Sequence, residues 1–358
     1  MLTSEWLAFE DVTGGQAAME RAIEKVQKCD WLFLFQNISA FVSGARAGEF
    51  LESAIAEKAK IALRLEGPFA GRDFCDGFDH VQARLVDAMV QPGGRRIELL
   101  VAGNMFCRHE GDEQGNVAEL ERMLEECGIE NHLVLFDGRD LAPEHVWPEA
   151  VAMMPYAGPQ TRGVLRAKGL ECFELPLPLG AEASLEWVER VCRLAGRRAP
   201  GFGQLLDPGR RKLVAVAVLE KLAGLRVVIV GDRPLARALR RLAEELAWEI
   251  CDVIIMATGG GHESGSVRPP TVESFSSVLE RHRPDVVVGS GAMSCVALER
   301  RVAFLELGFP SLFTHRFEPR PYLGPRGFAN IVEDLLNMRL RTIQKRPYAA
   351  PAISRNER

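Results

Sequence analysis

The chain has 358 residues, 47% of them hydrophobic and 26% charged, with a formal net charge of -5 and a pI near 5.9. That length suits two or three cores, and the composition is ordinary for a globular protein. The acidic balance supplies no overall attraction to phosphate backbones or anionic lipid, so neither a nucleic-acid nor a membrane-surface partner is expected. The most hydrophobic stretch, Leu213 to Val230, is broken by Glu220, Lys221 and Arg226, which rules it out as a membrane span. The start, Met1-Leu-Thr-Ser-Glu-Trp6, lacks a basic segment leading into an apolar one, so no secretion signal is expected. Eight cysteines, at 29, 75, 107, 127, 172, 192, 251 and 295, form no Cys-x-x-Cys pair. A zinc ribbon or disulfide framework is therefore not expected, and a reducing cytoplasm is the simplest location.

Apolar runs of strand length alternate with amphipathic helical stretches, the pattern of parallel sheets covered by helices. This predicts an α/β fold of three Rossmann-like parallel-sheet units around a central cleft. The first, over 1–93, reads as helix Gly15 to Lys28, strand Trp31 to Phe35, helix Arg46 to Lys58 and strand Ile61 to Leu65. The second, over 94–200, has strands Ile97 to Ala102, Leu133 to Phe136, Val151 to Met154 and Cys172 to Leu175. Helices at Asn116 to Cys127, Pro159 to Lys168 and Ala183 to Leu194 separate them, and Gly128 stands where a C-terminal helix cap belongs. Linker composition over Gly196 to Gly203 leads to a third unit, 201–345. It opens with one long helix, Leu206 to Leu222, and has strands Arg226 to Val230, Ile250 to Met256, Val286 to Gly289 and Pro310 to Phe313. A tail rich in Arg, Pro and Ala, 346–358, closes the chain.

Ligands of open parallel sheets bind beyond the carboxyl ends of the strands, so the turns there carry the candidate chemistry. In Val228-Ile-Val-Gly231-Asp-Arg233-Pro234, proline at the first helical position leaves free backbone N–H groups beside a guanidinium. That turn suits an anion, with Gly231 and Arg233 as candidate cofactor contacts; the plain alternative is a helix start with a solvated arginine. Thr258-Gly-Gly-Gly-His262-Glu-Ser-Gly265 lets backbone approach a ligand around Gly260, or is simply a flexible loop. It lacks the Gly-Lys-Ser/Thr ending of a phosphate loop, and no dinucleotide fingerprint is present. Cys295, near the start of the helix after Gly289-Ser-Gly291, is a candidate metal ligand or else a small buried hydrophobe. Cys75 and Cys107 are expected in loops able to line the cleft, whereas Cys127, Cys172, Cys192 and Cys251 read as core. Arg237, Arg240 and Arg241, one turn before Glu244 and Glu245, read as a solvated ion-pair face. His315, among Arg316, Glu318 and Arg320, is the leading candidate for metal or cofactor contact, against a loop histidine bonded to backbone.

The run Val302-Ala-Phe-Leu-Glu-Leu-Gly-Phe-Pro310-Ser-Leu-Phe-Thr-His315 through Tyr322-Leu-Gly324-Pro-Arg-Gly327-Phe resembles the C-terminal cofactor loop of nitrogenase component 1 proteins. Asp11-Val-Thr-Gly-Gly15, Glu66-Gly67, Gly115 to Leu120, Pro155-Tyr156-Ala157 and Leu175 to Gly180 are similar to further stretches of that family, in the same order. The Arg233-Pro234 turn resembles one that contacts the catalytic cofactor in the molybdenum-iron protein α subunit. By resemblance Tyr156 and His315 are cofactor contacts. The family's cluster thiolates, however, are replaced by Leu65 and by Pro155, neither of which has a donor atom. The resemblance implies an iron–sulfur or other metallocofactor of unknown identity, with the standard relay cluster not expected. It also implies pairing as a homodimer or as a heterodimer with a related component 1 subunit, and electron supply from a P-loop iron protein. The function implied is an oxidoreductase subunit or a metallocofactor-assembly scaffold. The competing function is a non-catalytic pairing subunit or a small-molecule or tetrapyrrole-binding module that has lost the clusters.

Overall fold

The computed structural model describes residues 29–35, 59–65, 73–104, 110–136, 144–206, 208–217, 221–257 and 270–344. The helices expected at Gly15 to Lys28 and Arg46 to Lys58, and the tail, lie outside them. β1 (Cys29–Phe35) and β2 (Ala59–Leu65) pair in parallel, with Trp31 opposite Ile61, and Leu65 is the last residue of its strand.

Helix α1 (Phe74–Met89) starts on a reciprocal cap in which Asp73 accepts from the backbone of Cys75 and Asp76 while Asp76 caps Asp73 in return. Cys75 therefore sits in the first helical turn, where it is buried, and not in a loop. The next sheet has the order β4-β3-β5-β6, formed by β3 (Val90–Ala102), β4 (His132–Val134), β5 (Val146–Met153) and β6 (Cys172–Glu174), all parallel. The crossover helices are α2 (Gly111–Glu126), after β3, and α3 (Pro159–Ala167), after β5, and α4 (Ala181–Leu194) follows the last strand. Gly128 caps α2 as expected, with φ 73° and its N–H on the Glu125 carbonyl.

Within the helix expected over Leu206 to Leu222 the structure has α6 (Pro208–Ala217), with Pro208 well placed as its first residue, and a short α5 (Phe202–Leu205) precedes it; residues 207 and 218–220 lie outside the described residues. The following sheet has the order β10-β9-β7-β8, again parallel. Its strands are β7 (Arg226–Asp232), β8 (Glu249–Ala257), β9 (Val286–Gly289) and β10 (Ala303–Glu306). Its helices are α7 (Arg233–Glu245), α8 (Val272–His282), the six-residue α9 (Ser294–Glu299) and α10 (Gly324–Gln344). The fourth strand is thus not Pro310 to Phe313. The N–H groups of Leu312, Phe313 and Thr314 all donate to the Glu306 carboxylate, which leaves them none for a ladder.

Leu99 to Ala102 and Val227 to Asp232 are buried without alternation, as expected of strands covered on both faces. One buried apolar cluster takes in Leu99 and Val101 of β3 together with Val227 and Ile229 of β7, with Trp187 and Leu239 from the intervening helices. The two four-stranded sheets thereby share a core. No helix among the described residues is long and apolar enough to cross a membrane.

Candidate functional site

Beyond the carboxyl ends of β5 and β7 the chain builds a buried polar joint. Asp232, fully buried, caps α7 by accepting from the Leu235 N–H at 2.8 Å. The hydroxyl of Tyr156, itself buried just past β5, donates to both carboxylate oxygens at 2.9 and 3.0 Å. Phe78 of α1 meets the Tyr156 ring edge-on. Desolvation pushes the Asp232 carboxyl up to about 6, opposed by the N–H and hydroxyl donors. Burial, reinforced by Asp232, Asp73 and Asp76, also drives the nearby Cys75 thiol far up, so it stays protonated. Tyr156 is here a strut between the two sheets with its hydroxyl already engaged.

Above this joint lies a cleft of about 460 Å3, floored by Met153, Met154, Pro155 and Leu175 to Leu177 and walled by α3, α4 and α7. Five arginines line it, 162, 190, 233, 237 and 241, against two glutamates, 174 and 186. Arg162 pairs with Glu174 at 2.6 Å, and Arg190 and Arg241 share Glu186 at 2.6 and 2.7 Å. Glu245, expected on a solvated ion-pair face with Arg241, instead accepts from the N–H of Ala181 and caps α4 across the two units. Burial pushes its carboxyl up to about 7. Arg241 likewise reaches across to α4 through Glu186.

A second concavity, about 780 Å3, is bounded by α2, α10 and the segment carrying His315. Gly111 and Gly115, one turn apart on α2, let that segment lie directly on the helix. A Cβ on Gly111 would stand 2.1 Å from the Glu318 carbonyl oxygen, and one on Gly115 2.5 Å from the Pro321 nitrogen. The Gly111 N–H donates to the Arg316 carbonyl, and the Gly111 carbonyl accepts from Arg320. Asn116 Oδ1 accepts from Tyr322 and Leu323, and Arg316 and Arg320 both bond Asp334 of α10 at 3.0 Å. His315 Nδ1 lies 2.9 Å from Glu110 Oε1 on an exposed side chain, while the other Glu110 oxygen accepts from the Arg316 N–H.

The candidates named from the sequence are therefore dispersed. Arg233 and Pro155 line the first cleft, and His315 lines the second. Arg233 and His315, both candidate cofactor contacts, do not share a pocket, because β10 is an edge strand two places from β7, and the segment after it crosses to α2. Gly231 is buried near the end of β7, and a Cβ there would stand 3.0 Å from Leu235 Cδ2, a tight contact inside the protein and not a face open to a ligand. Cys295 is exposed on α9 and lines neither cleft. Gly260 and Cys107 lie outside the described residues. Cys127 and Cys192 are buried as expected, while Cys172 and Cys251 are only half-buried. Among the described residues no three His, Cys, Asp or Glu side chains gather as a metal-binding group. With proline at 155, the Tyr156 hydroxyl engaged and His315 elsewhere, the described residues do not fit a metal cluster held at the first cleft.

Sequence reasoning missed Asp232, Glu110, Glu306, Arg162 and Arg190. Asp232 alone carried a local signal, an aspartate just before Arg-Pro at a strand end, which is helix N-cap composition.

Residues 10–340 match one family, described as nitrogenase component 1 type oxidoreductase. The chain belongs to that family. Relatives include the light-independent protochlorophyllide reductase subunit N of Prochlorococcus marinus (strain MIT 9303), 26% identical over 263 residues, which cover 64% of this chain and 59% of that protein. The nitrogenase molybdenum-iron protein alpha chain of Methanothermobacter marburgensis is 27% identical over 130 residues, 32% of this chain and 26% of that one. This chain thus spans less than two thirds of the length of either relative in the matched region. A solved structure described as nitrogenase Cp1 at pH 6.5 superposes with a TM-score of 0.75 at 16% identity, covering 93% of this chain and 81% of that one, which establishes the shared fold.

Proposed function

We propose that this component 1-type chain is an oxidoreductase subunit whose cleft between the β5 and β7 ends takes a small anionic molecule directly, in place of a thiolate-held metal cluster. The observation that carries the reading is the joint lining of that cleft by Pro155, which has no donor atom, and by Arg233 at the start of α7 within a basic wall. Guanidinium groups over an apolar floor bind and orient an anion but do not ligate iron. Family membership supports pairing with a related component 1 subunit and electron supply from a P-loop iron protein, in the cytoplasm.

Anaerobic purification of the full chain, alone and with its pairing subunit, followed by iron, sulfide and absorbance measurement, tests this. Iron and sulfide well below one cluster per chain are expected. A stoichiometric cluster with nitrogenase-type spectra would overturn the reading. A second reading, a non-catalytic pairing subunit, is favoured by the exposed side chains Leu312, Phe313 and Phe317, the last 96% exposed, beside His315. A complex that retains full reductase activity without this chain would favour it.

A further inference from the structure

We propose that the arginine-walled cleft selects small organic molecules carrying two anionic groups about one helical turn apart, with Arg233 and Arg237 as the recognition pair. The inference rests on the reading of this cleft as a ligand site and names the class of ligand. Its basis is an inequality among the five arginines that line the cleft. Three are already committed to protein carboxylates, Arg162 to Glu174 and Arg190 and Arg241 to Glu186. Arg233 and Arg237 have no carboxylate partner among the described residues.

The two free guanidinium groups are not a random surface pair. Positions 233 and 237 are four apart on α7, so both side chains leave the same face, separated by about 6 Å of axial rise. Like charges at that spacing repel, and a ligand placing an anionic group against each relieves the repulsion. A single anion satisfies one and leaves the other exposed to it. The amino end of α7 adds its partial positive charge at Arg233. Five arginines against two glutamates leave the lining with a surplus of three positive charges, which sets the sign of the ligand. The floor of Met154, Pro155, Leu175 and Pro176 is apolar and offers no anion contact, so it suits the carbon body of the ligand. A volume of about 460 Å3 is of small-molecule size.

Carboxylates and phosphates share this chemistry, and four probes separate them: glutarate and propane-1,3-diyl bisphosphate, each with two anionic groups on a three-carbon spacer, and acetate and methyl phosphate, each with one. Binding to the full chain is measured calorimetrically at low and at physiological salt, since exposed charge contacts weaken as salt screens them. At least one two-group probe is expected to bind ten or more times as tightly as its single-group counterpart; a preference for glutarate assigns a dicarboxylate, and one for the bisphosphate an organic bisphosphate. Arg233→Gln and Arg237→Gln should each abolish that preference while leaving the thermal unfolding midpoint unchanged, because neither side chain holds a carboxylate partner among the described residues. Arg240→Gln, on the same helix but off the cleft, should leave it intact. Equal binding of one-group and two-group probes, or an undiminished preference in the Arg233→Gln, Arg237→Gln double variant, would overturn the proposal. That result would not touch the cluster question, which the iron and sulfide measurement decides separately.

Discussion

The two clefts beyond the carboxyl ends of the strands are both rich in arginine, yet they use it in opposite ways. Around His315 the guanidinium groups are spent on architecture: Arg316 and Arg320 fasten the segment to Asp334, and Arg326 leans on Glu119. Around Arg233 three arginines are paired with Glu174 or Glu186, and two face the cleft without a carboxylate partner among the described residues. A basic cluster thus says little about binding until its internal partners are counted, because a paired guanidinium has already given its directional hydrogen bonds to the protein.

The comparison breaks most visibly if the His315 segment is released. Glu306 is buried and accepts from three consecutive backbone N–H groups, and a Cβ on Gly291 would stand 2.0 Å from its Oε1, so nothing larger than glycine fits beside it. Glu306→Ala should lower stability by about 4 kcal/mol, since hydrogen bonds to a charged acceptor are worth about 1.5–3 kcal/mol each and only part is recovered from water. Urea unfolding midpoints check this, and anion binding at the Arg233 cleft should survive wherever the variant is folded.

The next largest effect belongs to the joint under the Arg233 cleft. Burial holds the Asp232 carboxyl at about 6, above its ordinary 3.8, so the folded chain binds the extra proton between those values. Ionising it in the fold costs stability, a penalty absent below about pH 4 and complete above about pH 6, so stability falls as pH rises through that window. The contribution is about 3 kcal/mol, and Glu245, raised to about 7, acts in the same direction. Asp232→Asn keeps an N-cap and an acceptor for Tyr156 while removing the titration. Denaturant unfolding at pH 4.5 and pH 7 should therefore show a smaller loss across that interval in the variant than in the parent chain.

The smallest effect is expected at the residue the sequence singles out most strongly. His315 is exposed, and its one bond partner among the described residues, Glu110, also accepts from the Arg316 N–H. His315→Ala should cost less than about 1 kcal/mol, in keeping with exposed ion pairs. A loss of several kcal/mol in the same unfolding measurement would show that the histidine segment is held through His315 rather than through Glu306 and Asp334.

The sequence by itself determined the class of fold. Unbroken apolar runs such as Val227 to Val230 can only be buried on both faces, and their alternation with amphipathic helices requires parallel sheets. Local chemistry also placed Gly128 at a helix end and Pro234 in the first turn of α7, because each has a backbone preference that neighbours do not override. It misjudged Pro310 to Phe313, where an apolar run looks like a strand but the N–H groups of Leu312, Phe313 and Thr314 are captured by a glutamate six to eight residues earlier. Only the tertiary structure decided the rest. That Tyr156 meets Asp232, that Glu245 caps α4, and that Arg233 and His315 part company depend on strand order and on contacts between residues tens to hundreds of positions apart. No local pattern encodes such pairings, because a carboxylate or guanidinium has the same sequence signature whether its partner is a helix end, another side chain or a ligand.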